Sequence, residues 1–145
     1  MPVDPGVVGT ELPAVTMTVD AGRLRFFAKA IGETSEVYAG PGDVLPVPPS
    51  FLFGLELEAP DSFTWLADLG VDLRRVLHGE QSFVYHSLAH SGDTLVARPR
   101  ITDVYTKKGG ALEFIVKQTE VTRADGSAVA ELTSTVVVRH PEAVR

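Results

Sequence analysis

Glu33 and Tyr38 flank the point where a helical pattern gives way to a loop, and they are the first two residues in the chain that could handle a proton together. A carboxylate and a phenol within reach of one water molecule can divide proton removal and proton return between them. A phenol of ordinary pKa, near ~10, is a poor base at neutral pH. The pair therefore competes with a plainer reading, a solvated acid beside a packed ring. His78, inside Leu-His-Gly-Glu-Gln (77–81), is the third catalytic candidate, set against a structural imidazole bonded to Glu80 or to backbone. His86 and His90 have the i, i+4 spacing of a metal pair on a helix. They fall where a strand runs into a turn, so the spacing loses that meaning and no metal site is expected. Ser50 reads as a helix cap, because no Gly-x-Ser-x-Gly elbow surrounds any serine. Asp43 and Asp93 each follow a glycine and read as turn residues, and His140 carries little weight at an end expected to fray.

Helices and strands must position these groups. Residues 14–19 read as a short strand, after which Asp20 offers an N-cap. Leu24, Phe27, Ala28 and Ile31 then form an apolar stripe at helical spacing, which Gly32 is placed to end. The loop over 33–49 carries Gly40-Pro41-Gly42, Pro46 and Pro48-Pro49, and its length suits a loop with a function. Pro49 suits the first turn of a second helix over about 49–58, apolar on nearly every side up to Glu56 and so expected to be wrapped by protein. Phe63, Trp65, Leu66 and Leu69 suggest a short helix. Period-2 runs follow at 80–88 (Phe83 and Tyr85 opposite Val84 and Leu88) and at 94–106 (Leu95, Ala97, Ile101). A further run carries Leu112, Phe114 and Val116, and a last strand over about 128–139 ends in Val136-Val-Val-Arg139. Pro99 marks an edge or a bulge. Ser91-Gly92-Asp93, Lys107-Lys108-Gly109-Gly110 and Asp125-Gly126 supply the turns. Four long antiparallel strands after a buried helix, without βαβ alternation, make the class α+β.

With 145 residues, 44% of them hydrophobic and 22% charged, the chain suits one compact domain with its own core. A net charge of −6, with Arg74-Arg75 and Lys107-Lys108 as the only basic doublets, argues against a nucleic-acid partner. The absence of cysteine removes disulfides, thiolate nucleophiles and Cys-based zinc sites. The N-terminal Met-Pro-Val-Asp-Pro-Gly has no signal-peptide pattern, and no apolar run approaches the ~20 residues of a membrane span. A cytoplasmic protein with no membrane partner is the expectation.

An apolar helix gripped by a long antiparallel sheet is the plan of the hot-dog fold. Phe27-Ala28-Lys29-Ala30-Ile31-Gly32, Pro48-Pro49-Ser50-Phe51, Leu77-His78-Gly79-Glu80-Gln81 and Ser91-Gly92-Asp93-Thr94-Leu95 narrow the likeness. Across about residues 8–139, within a single hot-dog domain over 1–145, the chain resembles the MaoC-like dehydratases, above all their N-terminal, FAS1-like dehydratase branch. That resemblance implies an acyl-CoA or acyl-carrier-protein thioester as ligand and no cofactor. It implies a hydratase/dehydratase (lyase) reaction between trans-2-enoyl and (3R)-hydroxyacyl forms. It also implies a homodimer, or a heterodimer with a MaoC-like catalytic subunit, with acyl tunnels along the seam. The family motif is Gly-Asp-x-Asn-Pro-x-His. Here Gly32 is kept, while Glu33, Ser35, Glu36 and Tyr38 occupy the Asp, Asn, Pro and His positions. The resemblance thus points to the half of such a pair that lacks the dyad and shapes the tunnel. Ser50, Phe51, Phe53 and Gly54 are the substrate-binding candidates, with N–H donors at that helix start facing a thioester carbonyl. A self-sufficient homodimer, a non-catalytic acyl-CoA binding module and a thioesterase stay open beside it.

Overall fold

Asp20 opens the first helix as its type and position require, its carboxylate accepting the Arg23 N–H at 3.0 Å. The computed structural model describes residues 2–42 and 44–144, Val144 by its backbone alone; Asp43, the expected turn residue, lies outside the described residues. Helix α1 (Ala21–Ala30) buries Leu24 and Ala28, and Phe27 meets Phe51 edge-on at 5.4 Å. Ile31, expected on the same stripe, is instead 52% exposed. It is the C-cap residue, with φ/ψ of −91°/2°, so the helical spacing no longer aims its side chain at the core. A short α2 (Glu36–Ala39) interrupts the expected loop, and α3 (Thr64–Asp68) falls inside the middle segment.

Five strands form one antiparallel sheet in the order β1-β3-β4-β5-β2. They are β1 (Val15–Thr18), β2 (Val76–Tyr85), β3 (Thr94–Lys107), β4 (Leu112–Arg123) and β5 (Ala128–Arg139). Lys108–Gly110 and the Asp125-Gly126 turn, with Gly126 at φ +89°, connect the three central strands. Strand β2 returns to pair with β5 and leaves its other edge open among the described strands. Leu95, Ala97 and Ile101 face inward as their alternation predicts. On β4 the inward set is Ile115, Thr119 and Val121, with Glu113, not Leu112, Phe114 and Val116. That strand is apolar on both sides, so alternation alone assigns the wrong face. Its outward Phe114 stacks on Tyr105 at 4.9 Å, with Lys107 over the ring at 5.2 Å. Pro99 is buried and paired with Thr119, and the bulge falls later, between Ile101 and Asp103. Its missing donor points to the side where β1 has already ended and Leu12 N–H reaches the Pro99 carbonyl at 2.9 Å.

The stretch expected as one buried helix over about 49–58 is two 3₁₀ turns, Phe51–Gly54 and Glu56–Glu58. Pro48 and Pro49 close a turn in which Phe51 N–H bonds the Pro48 carbonyl at 3.0 Å, and Pro60 stops the chain beyond. Too few residues, with Gly54 among them, lie between these prolines to repay α-helix nucleation. Phe51, Leu52 and Leu55 are buried against the sheet. Phe53 and Leu57, on the opposite side, stay open, so the segment is gripped from one side only.

Candidate functional site

Gly32, at φ +75°, turns the chain out of α1, and Glu33 N–H bonds back to the Ala28 carbonyl at 2.8 Å. The Glu33 carboxylate then accepts Ser35 N–H at 2.8 Å, and Ser35 in turn caps α2. Tyr38 lies on α2 and packs against the larger core cluster. Its hydroxyl donates to the Pro46 carbonyl at 2.9 Å. Burial, and secondarily the negative charge of Glu33, pushes its pKa above the usual phenol value. The phenol holds its proton and spends it on a backbone acceptor. Tyr85 does the same for the Pro49 carbonyl, its pKa pushed up to about 12 by burial. Two tyrosines therefore clamp the proline segment at both ends. Leu45 is tied to Ser91 and Val47 to Ala89 by backbone bonds of 2.8 Å.

His78 sits elsewhere, on the inward side of β2 at the mouth of a cavity of about 250 Å³. The cavity lies between the Phe51–Glu58 segment, α3 and strands β2, β4 and β5. Phe53 meets the His78 ring edge-on at 5.5 Å. Around them Phe53, Leu57, Phe63 and Leu73 are 37%, 47%, 50% and 48% exposed, an apolar rim open to solvent. At the inner end, Lys117 Nζ donates to Glu56 Oε2 at 2.6 Å, and Thr119 Oγ1 donates to Glu56 Oε1 at 2.6 Å. The same ammonium lies 4.8 Å from the centre of the Trp65 ring. A larger concavity of about 460 Å³ lies elsewhere, where Arg98 and Glu120 face each other across the β3–β4 ladder. Acids and bases alternate there, and none of the sequence candidates lines it.

Of the substrate-binding candidates, Phe53 alone lines the apolar cavity. Phe51 is core, and Ser50 is exposed and makes no side-chain cap bond. Gly54 has nothing within 4 Å of an added Cβ. The expected N–H donors are occupied in part, Phe51 by Pro48 and Phe53 by Ser50. Neither Glu33 nor Tyr38 lines this cavity, and they do not meet His78 there. His86 approaches Glu131 at 3.5 Å and His90 N–H bonds Asp93, and among the described residues no group of three or more His, Cys, Asp or Glu is placed to hold a metal ion.

His140 carries more weight than its position suggested. Its Nε2 lies 3.1 Å from Oε1 of Glu113, which is 1% exposed, while Glu113 Oε2 accepts Val3 N–H at 2.6 Å. Both carboxylate oxygens are taken, so this imidazole–carboxylate pair ties the two chain ends to β4 and leaves no oxygen free for a substrate. Sequence reasoning passed over Glu113 and Lys117, although each stands on the inward side of β4 beside Ile115. Charged residues interleaved with apolar ones along this strand were the only signal, and the side they take is set by the neighbouring strands.

The model of the "FAS1-like, dehydratase domain region" family matches residues 6–132. The UPF0336 protein of Clavibacter michiganensis is 36% identical over 99% of this chain and 100% of its own. The structure of the C-terminally truncated HadBC (3R-hydroxyacyl-ACP dehydratase) complex of Mycobacterium tuberculosis superposes at a TM-score of 0.72. Its identity is 21%, over 94% of this chain and 99% of that one. A MaoC-like dehydratase from Phytophthora capsici gives 0.78 at 22% identity, over 97% of this chain and 51% of that one. The fold is the hot-dog fold. No helix among the described residues is long and apolar enough to cross a membrane.

Proposed function

The chain belongs to the FAS1-like dehydratase family, and from that premise we propose that it is the acyl-holding subunit of an (R)-specific enoyl-thioester hydratase/(3R)-hydroxyacyl-thioester dehydratase. A MaoC-like partner supplies the Asp and His. One observation carries the reading: at the motif position of the catalytic imidazole, Tyr38 holds a tightly kept proton and donates it to Pro46. Hydration needs one group to take a proton from water as its oxygen attacks the β-carbon, and a proton source for the α-carbon. Glu33 retains a carboxylate, yet the phenol beside it accepts no proton near neutrality.

In this reading the chain's own work is binding. The acyl group runs along the seam, between Phe53, Leu57 and Phe63 and the second hot dog, and into the 250 Å³ cavity, where apolar walls strip it of water. The open edge of β2 and the exposed rim beside it form the seam with the second hot dog. The acyl carrier is coenzyme A or acyl carrier protein.

Co-expression with a MaoC-like protein that retains Asp-x-Asn-Pro-x-His is the test, followed by crotonyl-CoA hydration on the purified complex. A complex that turns over, beside an isolated chain that does not, is the expected result. Turnover by the isolated chain, abolished in Glu33→Gln or His78→Ala, would establish the self-sufficient homodimer instead. Acyl-CoA binding without turnover in any complex would make it a binding module.

A further inference from the structure

A second cavity, of about 310 Å³ and as open to solvent as the first, adjoins it and runs toward the chain's 10–15 segment and Pro99. The two share four lining residues, Glu56, Ser62, Trp65 and Lys117. Trp65 and the Lys117–Glu56 ion pair thus stand as a wall between two solvent-open cavities of comparable size. The wall is braced from three directions. Glu56 comes from the 3₁₀ segment and accepts from Lys117 and Thr119 of β4, while Trp65 comes from α3 and lays its ring against the ammonium. Lys117 and Glu56 are only 11% and 18% exposed, so their charges are largely withdrawn from water and each depends on the other.

We infer that Trp65, held by the Lys117–Glu56 pair, is the end-stop that sets how long an acyl chain the subunit accepts. The inference rests on the acyl-holding reading above and adds the residues that bound the chain. An alkyl tail reaching the wall meets an indole face and, behind it, an ion pair that it cannot solvate. Continuing would require breaking a buried pair without replacing its hydrogen bonds. With the indole removed, the tail can pass through the space the ring filled, alongside the intact Lys117–Glu56 pair, into the second cavity, lined in part by Leu12, Leu69 and Ile101.

The experiment is calorimetric binding of a series of saturated acyl-CoAs, from butyryl to palmitoyl, to the purified chain and to Trp65→Ala and Trp65→Leu. In the wild-type chain, affinity should rise with length and then stop rising. In Trp65→Ala the plateau should move to longer chains, with about tenfold tighter binding for each further pair of methylenes admitted. Trp65→Leu, which keeps apolar bulk beside Lys117, should give a smaller shift and covers the case in which the alanine variant does not fold. Phe26→Ala, on the far-exposed face of α1, should leave the profile unchanged. A plateau at the same length in a folded Trp65 variant overturns the end-stop alone. Absence of binding at every length in the wild-type chain overturns the acyl-holding reading and the end-stop with it.

Discussion

At the scale of single residues, a scaffolding role and a proton-handling role for Tyr38 differ in measurable size. Tyr38→Phe removes one hydrogen bond, to the Pro46 carbonyl. The expected cost is about 1 kcal/mol in urea unfolding, with less than a fewfold change in hydration by the complex. A general base at this position would lose on the order of 10²–10⁴ in rate on the same substitution, so the kinetic assay separates the two. Tyr85 adds a pH dependence whose sign follows from its pKa. The unfolded phenol titrates near 10.0 and the folded one near about 12, so the folded state keeps a proton that the unfolded chain has lost. Stability from this group is complete below the lower value and drains away as pH rises toward the upper one. Thermal midpoints measured across that alkaline window should fall in the wild-type chain and fall less in Tyr85→Phe. At the opposite end of the sheet, Glu113→Ala strands Val3 N–H and His140 in a buried place. A loss of about 2–3 kcal/mol in denaturant unfolding is expected.

At the scale of elements, strand positions were legible because turn signals bound them, while strand faces and the length of the 51–58 segment were less so. The last strand runs over Ala128–Arg139 as the preceding Asp-Gly and the closing Val136–Val138 run predict. The 51–58 stretch has an apolar run as good as a helix, but the flanking prolines and Gly54 shorten it into 3₁₀ turns. A two-faced strand such as β4 gives no parity cue until its neighbours are known, which is why the inward charges Glu113 and Lys117 stayed hidden. The candidate site was legible only in outline. Its motif positions could be read, but where Glu33, Tyr38 and His78 lie relative to one another depends on the path of the proline loop. One element-level feature links backbone to site directly. The β2–β5 register shifts between His78 and Glu80, and a Cβ on the intervening Gly79 would meet Val137 Cγ2 at 2.6 Å and the Thr135 carbonyl at 3.2 Å. Gly79→Ala should cost about 1–3 kcal/mol. It should also raise amide exchange in β2 at Leu77 and His78, since the strand has to move away from β5 to admit the methyl. Unchanged exchange and stability would mean that the bulge absorbs the methyl, and that His78 is not held in place by this close packing.

At the scale of the molecule, the fold is half-closed. The 3₁₀ segment is gripped by the sheet on one side only. The apolar rim of Phe53, Leu57, Phe63 and Leu73 lies beside β2, whose outer edge pairs with no strand among the described residues. Apolar exposure of this kind, contiguous and around a cavity mouth, is costly for a lone subunit and is what an interface covers. A stable dimer has to bury at least ~1,000 Å² in total, and the open β2 edge beside the rim is the surface that would extend the seam. Replacing two rim residues by charge tests this without touching the core, because Leu57 and Phe63 are 47% and 50% exposed. The Leu57→Asp/Phe63→Asp variant should keep the far-ultraviolet circular dichroism of the wild-type chain, yet lose association, with itself or with a MaoC-like partner, in sedimentation velocity. Desolvating two carboxylates without counter-charges at a closed seam costs several kcal/mol, enough to turn a micromolar association into none at working concentrations. If the variant associates as the wild-type chain does, the seam lies elsewhere, and the cavity mouth opens to solvent even in the assembled protein.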